Sequence, residues 1–165
     1  MEPSAIADWS GFFVTAAGAA SALAGLVFVS LSINLARIIE LPGVSGRAAE
    51  TIILLTGTLA GSLLALVPHL SPGRLGVMLL VVTLSTWLGP AIIQARSVRA
   101  HTYQRPSLAI LRAVLHQAAT LPGVLASLSL CGFAPGGIAW FAAGAIASML
   151  VAIFNAWILL VEILR

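Results

Sequence analysis

Charged side chains are scarce in this sequence. Only 8% of its 165 residues are charged, whereas a soluble globular domain carries about 25%. Hydrophobic residues make up 60% of the chain, so too little polar surface remains to cover a water-soluble globule. The scarcity of charge therefore excludes a soluble domain, and it predicts that the lipid bilayer is the natural solvent and first partner of the chain.

Lysine is absent, and cysteine occurs once. All eight basic residues are arginines, and Cys131 lies inside an apolar run. A single cysteine excludes an intramolecular disulfide and a cysteine-based metal site. The first residues include Glu2 and no basic residue, whereas a signal peptide begins with a basic region. We therefore expect the first apolar stretch to be a retained membrane span.

The motifs of common catalytic sites are also absent. The sequence has no H-E-x-x-H, no Walker A loop, no Rossmann glycine fingerprint and no G-x-S-x-G elbow. No carboxylate lies at a predicted mid-membrane depth, where proton-coupled transporters usually place one. We predict a protein that is not an enzyme and has no cofactor or metal, and that is neither a coupled transporter nor an intramembrane protease.

Long stretches free of formal charge predict five membrane helices in a single all-α domain. A helix needs about 20 apolar residues to cross the hydrocarbon layer. These runs are continuous, whereas barrel strands alternate over about 10 residues. The stretch from Arg112 to Glu162 is too long for one crossing, and the Gly- and Pro-rich segment 133–137 breaks it. The predicted helices cover approximately residues 12–35, 51–70, 75–93, 110–132 and 138–161. A four-helix alternative requires a re-entrant segment around Pro122.

The arginines predict the orientation of this polytopic bundle. Cytoplasmic loops collect basic residues. Arg74 lies on one predicted side, and the other seven lie on the opposite side: Arg37, Arg47, Arg96, Arg99, Arg105, Arg112 and Arg165. This asymmetry predicts an outside N-terminus and a cytoplasmic C-terminus. The arginine-containing loop before the fourth helix is expected to contact anionic lipid headgroups rather than nucleic acid.

Three predicted helices carry small residues at a spacing of four, which lets membrane helices approach closely. Each stripe packs inside the bundle or faces a membrane partner or a second copy. The candidate packing residues are Ser21, Gly25, Gly57, Gly61, Gly144 and Ser148.

Charged residues at helix ends form a predicted cytoplasmic rim. Arg37 with Glu40 and Arg47 with Glu50 have the i,i+3 spacing that shares a helix face. Arg112 and Glu162 complete this set. The rim is either a structural set of ion pairs or a collar for docking or gating. Because they border apolar helices, Glu50 and Glu162 are the carboxylates expected to be partly buried.

Four amide and imidazole side chains are candidates for interhelical bonds or for a pathway. Asn34 and Asn155 are expected near the cytoplasmic ends of two parallel helices, where a bond between them would contribute about 0.6–2 kcal/mol. They either hold the helices together or contact a substrate or ion. His116 and Gln117 are expected at the cytoplasmic end of the fourth helix, as interfacial hydrogen-bonding groups.

Three segments carry a resemblance to a known group of proteins. They are residues 32–38 (SINLARI), 46–51 (GRAAET) and 155–164 (NAWILLVEIL). Together they resemble small, uncharacterised multi-pass bacterial membrane proteins, some of which are described as modulators of the membrane-bound AAA+ protease FtsH. The resemblance implies a location in the bacterial cytoplasmic (inner) membrane and no known reaction.

Two functions follow as hypotheses. The first is a non-enzymatic accessory or regulatory protein that acts through helix–helix contacts with a membrane partner. The alternative is a homo-oligomeric channel or passive pathway for a small ion or solute. An enzyme acting on lipid rests only on His116 with its neighbouring arginines, and it ranks last.

Overall fold

The described part of the chain is entirely helical in its regular structure. The computed structural model describes residues 6, 8–41, 43–99 and 106–164, apart from the side chains of residues 106 and 162–164. Five helices in this part are long and apolar enough to cross a membrane, which confirms the predicted all-α bundle with five spans. The helices are α1 (Ser10–Ile33), α2 (Leu35–Glu40), α3 (Val44–Ala65), α4 (Pro72–Arg99), α5 (Pro106–Leu130) and α6 (Ala139–Leu164).

Two helices extend past the boundaries that formal charge predicts. α3 begins at Val44 instead of residue 51 and so includes Arg47 and Glu50, while α4 continues beyond residue 93 to Arg99. Arginines suit the last turn of α4 because cations are stabilised at a helix C-terminus and long side chains reach toward water. A charge therefore ends the apolar run without ending the helix.

Four helices form the core, and α1 lies outside them. α3, α4, α5 and α6 contact one another in a closed ring, whereas α1 packs mainly against α3 and less extensively against α6. Gly46 near the start of α3 lies against Ile93 near the end of α4. This end of the core, where Arg47 and Arg112 also lie, is called the arginine-rich end below.

α5 is continuous through Pro122, so the re-entrant alternative is wrong. A proline removes one backbone donor from the helix, and α6 packs closely against α5 at this point. A side-chain carbon at Gly144 would lie 3.1 Å from the backbone nitrogen of Gly123. Ser148 donates a hydrogen bond to the carbonyl of Ala119 at 3.1 Å. Two of the candidate packing residues thus hold α6 against the proline-containing helix.

The predicted break between the last two spans is a turn. Gly132, Gly136 and Gly137 have positive φ angles, which glycine adopts without the steric penalty that other residues have. The backbone N–H of Gly137 donates to the hydroxyl of Ser129 at 2.6 Å. The turn reverses the chain so that α6 runs back along α5.

Large apolar side chains cover the outer surface of the bundle. Leu26, Ile33 and Phe133 are 70%, 78% and 81% exposed. A soluble monomer rarely exposes a continuous apolar surface, whereas lipid solvates one readily. The exposed side chains therefore agree with the multi-pass membrane fold.

Candidate functional site: a buried polar cavity

A buried ion pair joins α3 to α5. The Nε of Arg112 donates to Oε2 of Glu50 at 2.8 Å, and Nη2 lies 2.7 Å from Oε1. The two residues are only 7% and 2% exposed. Two contacts between a guanidinium and a carboxylate give a strong and directional pair. A lone charge at the centre of a membrane helix costs about 2.5–3.5 kcal/mol or more, and pairing offsets that cost for both groups.

The ion pair changes the predicted rim. Glu50 was paired by spacing with Arg47, whereas the structure gives it Arg112, 62 residues away. Glu50 is fully buried rather than partly buried, and Arg47 is half-buried at the same end. Arg37 and Glu40 lie exposed on α2. The side chain of Glu162 lies outside the described residues.

Two hydrogen bonds join α4 to α5 beside the ion pair. The indole N–H of Trp87 donates to Oε1 of Gln117 at 2.7 Å. Nε2 of His116 lies 3.0 Å from the carbonyl oxygen of Trp87. A carbonyl only accepts, so Nε2 donates. His116 and Gln117 are thus interhelical groups, and their shared partner is Trp87.

The two asparagines are not hydrogen-bonded to each other. The amide of Asn34 donates to the carbonyl of Ser30 at 2.9 Å, where α1 gives way to α2. It satisfies a helix-end carbonyl of its own segment, as polar side chains commonly do. Asn155 is 5% exposed on α6, and no described residue forms a hydrogen bond with its amide.

A cavity of about 160 Å³ brings these polar groups together between α3, α5 and α6. Four of its five polar side chains are buried and the fifth, Arg47, is half-buried, whereas Leu108 and Phe154 on its rim are 54% and 42% exposed. The cavity thus has a polar interior and a lipid-facing apolar mouth. Its polar lining consists of Arg47, Glu50, Arg112, His116 and Asn155, and its apolar lining includes Leu54, Leu108, Leu111, Leu115 and Phe154.

The donor set of this cavity suits hydrogen bonding to a small molecule. Within the described ranges, no three His, Cys, Asp or Glu residues lie close enough to hold a metal ion. Glu50 and Arg112 neutralise each other, while Asn155 offers one donor group and one acceptor. The arrangement can orient a polar group in an otherwise apolar membrane interior.

The small-residue stripes have different surroundings. A Cβ at Gly57 would fall on the hydroxyl of Thr86, and one at Gly61 would fall on the ring of Phe141. Both glycines allow close packing inside the core. Gly25 has open space around it and Ser21 is exposed, so internal packing is the wrong interpretation for these two.

A longer outward stripe on α1 escaped the sequence reasoning. Gly11, Gly18 and Gly25 are seven residues apart. A Cβ atom added at any of them would have no neighbouring side chain or other helix within 4 Å. Thr15 and Ala22, which lie four residues after the first two, are also exposed. We call these five residues the outer glycine face. The predicted stripe at a spacing of four shares Gly25 with this face, and the seven-residue period that extends it to Gly11 is visible in the sequence.

No protein-family model, curated protein or solved structure matches this chain. The resemblance to bacterial membrane proteins stays a prediction.

Proposed function

We propose that this protein is a non-enzymatic accessory or regulatory component of the bacterial cytoplasmic (inner) membrane that binds a transmembrane helix of a partner protein along α1. The observation that carries the proposal is the open space beside Gly11, Gly18 and Gly25. Glycine inside a helix costs about 0.5–1 kcal/mol relative to alanine. The core gains no close contact in return, whereas a partner helix would gain one.

The dimensions of the outer glycine face favour a helix as its occupant. From Gly11 to Gly25, the face extends over roughly 21 Å of helix, about two-thirds of the thickness of the hydrocarbon layer. A seven-residue repeat is the period of two helices that cross at a small angle in a left-handed pair. A transmembrane helix lying along α1 would therefore contact the whole face.

The resemblance suggests which partner to test first. Some similar bacterial membrane proteins are described as modulators of a membrane-bound AAA+ protease, so a protease of that kind is the first candidate. The predicted orientation places the C-terminus of our chain in the cytoplasm.

The test compares enlarged side chains on and beside the outer glycine face. The full chain is purified from native membranes in mild detergent, and co-purifying proteins are identified by mass spectrometry. We expect a membrane protein to co-purify with the original chain and to be lost from the Gly18→Leu/Gly25→Leu variant. Ala19→Leu, which enlarges an exposed neighbour outside the face, is the matched control and should retain the partner.

Two results would contradict the proposal. If the protein is recovered only as a monomer under several mild conditions, it has no stable partner in the membrane and the proposal is wrong. A homo-oligomer that depends on Gly18 and Gly25 would favour the channel hypothesis instead, and ion or solute flux into liposomes would then test it. The described protomer gives that alternative less support, because Gly57 and Gly61 face Thr86 and Phe141 rather than a lumen.

A further inference from the structure

The cavity at the arginine-rich end contains a polar group that the protein does not use. The side chain of Asn155 is only 5% exposed, and its amide has no hydrogen bond to any described residue. Its amide atoms are not among the fully enclosed side-chain atoms that have no partner, so they are open to the space beside them. The amide lines the cavity, so the missing partner belongs there.

The cavity also limits the size of the partner and its route of entry. Its volume of about 160 Å³ is close to that of an engineered cavity of about 150 Å³ that holds benzene, a molecule with six heavy atoms. The rim residues Leu108, Leu111 and Phe154 are exposed on the lipid-facing surface. The occupant is therefore a polar group of about six heavy atoms that reaches the cavity from the bilayer.

The available hydrogen-bonding atoms limit its chemistry. Asn155 offers an acceptor and a donor, and a neutral His116 that donates from Nε2 keeps Nδ1 as an acceptor. A carboxylate or phosphate accepts only, and an ammonium donates only, so neither group alone satisfies both ends of the asparagine amide. A hydroxyl does both. Two adjacent hydroxyls on a glycerol unit match the number of atoms and their roles.

Charge at the cavity favours a lipid as the carrier of this glycerol unit. Arg47 lines the same cavity as Asn155. It already has an interaction within the protein, but a guanidinium has several N–H donors and can bind a phosphate beside that partner. In a glycerol headgroup that is linked through phosphate to an acylated lipid, the phosphate would lie near the arginines while the diol reaches the amide. Basic pockets between membrane helices bind headgroups in this manner.

We infer that the cavity between α3, α5 and α6 binds a glycerol-type diol, supplied by the headgroup of a phosphatidylglycerol-class lipid. The amide of Asn155 hydrogen-bonds the diol, and the ion pair between Glu50 and Arg112 keeps the polar wall in place. This inference is independent of the partner proposed for α1. The same diol could also enter as free glycerol, and the experiment distinguishes the two sources.

The experiment measures lipid binding to the full chain in delipidated micelles. Native mass spectrometry and thermal unfolding are followed during titration with phosphatidylglycerol, phosphatidylethanolamine, phosphatidic acid and free glycerol at millimolar concentration. We expect one phosphatidylglycerol per chain and a raised unfolding temperature. Asn155→Leu should weaken this binding about tenfold, the order expected for one lost hydrogen bond. Asn34→Leu, the same change outside the cavity, should not weaken it.

Each remaining outcome decides the inference. Stabilisation by free glycerol to the same extent would support the diol site with an aqueous source. Equal binding of phosphatidylethanolamine or phosphatidic acid would overturn recognition of the diol, as would unchanged phosphatidylglycerol binding to Asn155→Leu. If Asn155→Leu does not fold, Leu111→Trp narrows the exposed mouth instead. Phosphatidylglycerol should then bind more weakly, and unchanged binding would overturn the inference.

Discussion

α3 and α1 both carry regularly spaced glycines, but only α3 uses them to pack against its neighbours. Gly57 and Gly61 on α3 face Thr86 and Phe141, whereas Gly18 and Gly25 on α1 face open space. Because α3 belongs to the closed ring of four helices and α1 lies outside it, similar residue patterns meet different surroundings. A small-residue stripe thus reports that a close neighbour can fit, and the fold decides whether that neighbour belongs to the same chain.

Polar side chains follow the same division. In the core, several bond between helices, as in the ion pair of Glu50 with Arg112, although Thr58 and Thr120 bond within their own helices. On α1, the hydroxyls of Thr15, Ser21 and Ser32 bond to carbonyls of their own helix. Substitutions in the core should therefore change stability strongly, whereas matched substitutions on the outer surface should change it little.

The largest expected effect is on the ion pair. Glu50→Leu leaves Arg112 buried without its carboxylate, which should lower the free energy of unfolding by about 3–5 kcal/mol. The double variant Glu50→Leu/Arg112→Met removes both charges and should recover most of this loss. Unfolding in mixed micelles measures both. Glu40→Leu on exposed α2 is the control, and equal losses in the single and double variants would contradict the prediction.

The glycines of the two helices give the next effect. Gly61→Ala places a methyl group on the ring of Phe141, and such overpacking should lower the free energy of unfolding by about 1–3 kcal/mol. Gly25→Ala on α1 meets no neighbour and should raise it by about 0.5–1 kcal/mol. Thermal unfolding of the two variants side by side measures the difference. If both respond alike, α1 and α3 are not packed differently.

A tryptophan pair gives a smaller effect. Trp87→Phe removes the donor to Gln117 and should lower the free energy of unfolding by about 1 kcal/mol. Trp157, which is 61% exposed on α6, provides the matched control Trp157→Phe, with an expected change within about 0.5 kcal/mol. Chemical unfolding followed by far-ultraviolet circular dichroism measures both. A larger loss for the exposed position would contradict the assignment.

The smallest effect concerns a hydroxyl contact. Thr83 and Ser127 lie 3.2 Å apart between α4 and α5, and bonds of this kind between membrane helices average about 0.6 kcal/mol. Thr83→Val should therefore lower the free energy of unfolding by about that amount. Thr15→Val on α1 removes a hydroxyl that bonds only within its own helix. No contact between helices is lost, so the free energy of unfolding should fall less than in Thr83→Val. Steric-trap or micelle unfolding experiments can compare the two.

Length and charge in the sequence were sufficient to predict five spans, because lipid requires long apolar helices. Length and charge were not sufficient to predict where α3 begins, since a charge ends the apolar run without ending the helix. Glu50 therefore lies inside α3, where Arg112 neutralises it. Both residues belonged to the predicted rim, but spacing along one helix identifies only local partners such as Arg47. A pair separated by 62 residues depends on how α3 and α5 pack.

The cavity was less predictable than the fold for the same reason. Asn155 and His116 were recognised as polar groups in apolar helices, yet their partners come from neighbouring helices. Asn34 was expected to bond Asn155, whereas it bonds the carbonyl of Ser30 where its own helix is interrupted. The outer glycine face lies within one helix, and a search at a period of seven residues would have found it.

The distance along the chain between Glu50 and Arg112 also bears on how the protein enters the membrane. Glu50 is synthesised 62 residues before its partner, an interval of roughly 3–12 s at ordinary rates of translation. During that interval, the start of α3 carries a carboxylate without Arg112, and an unpaired charge becomes more costly the deeper it enters the bilayer. The first turns of α3 should therefore stay near the water interface or within the insertion machinery until α5 arrives. Pairing then joins α3 to α5 at the arginine-rich end, so this end of the bundle is completed late in synthesis.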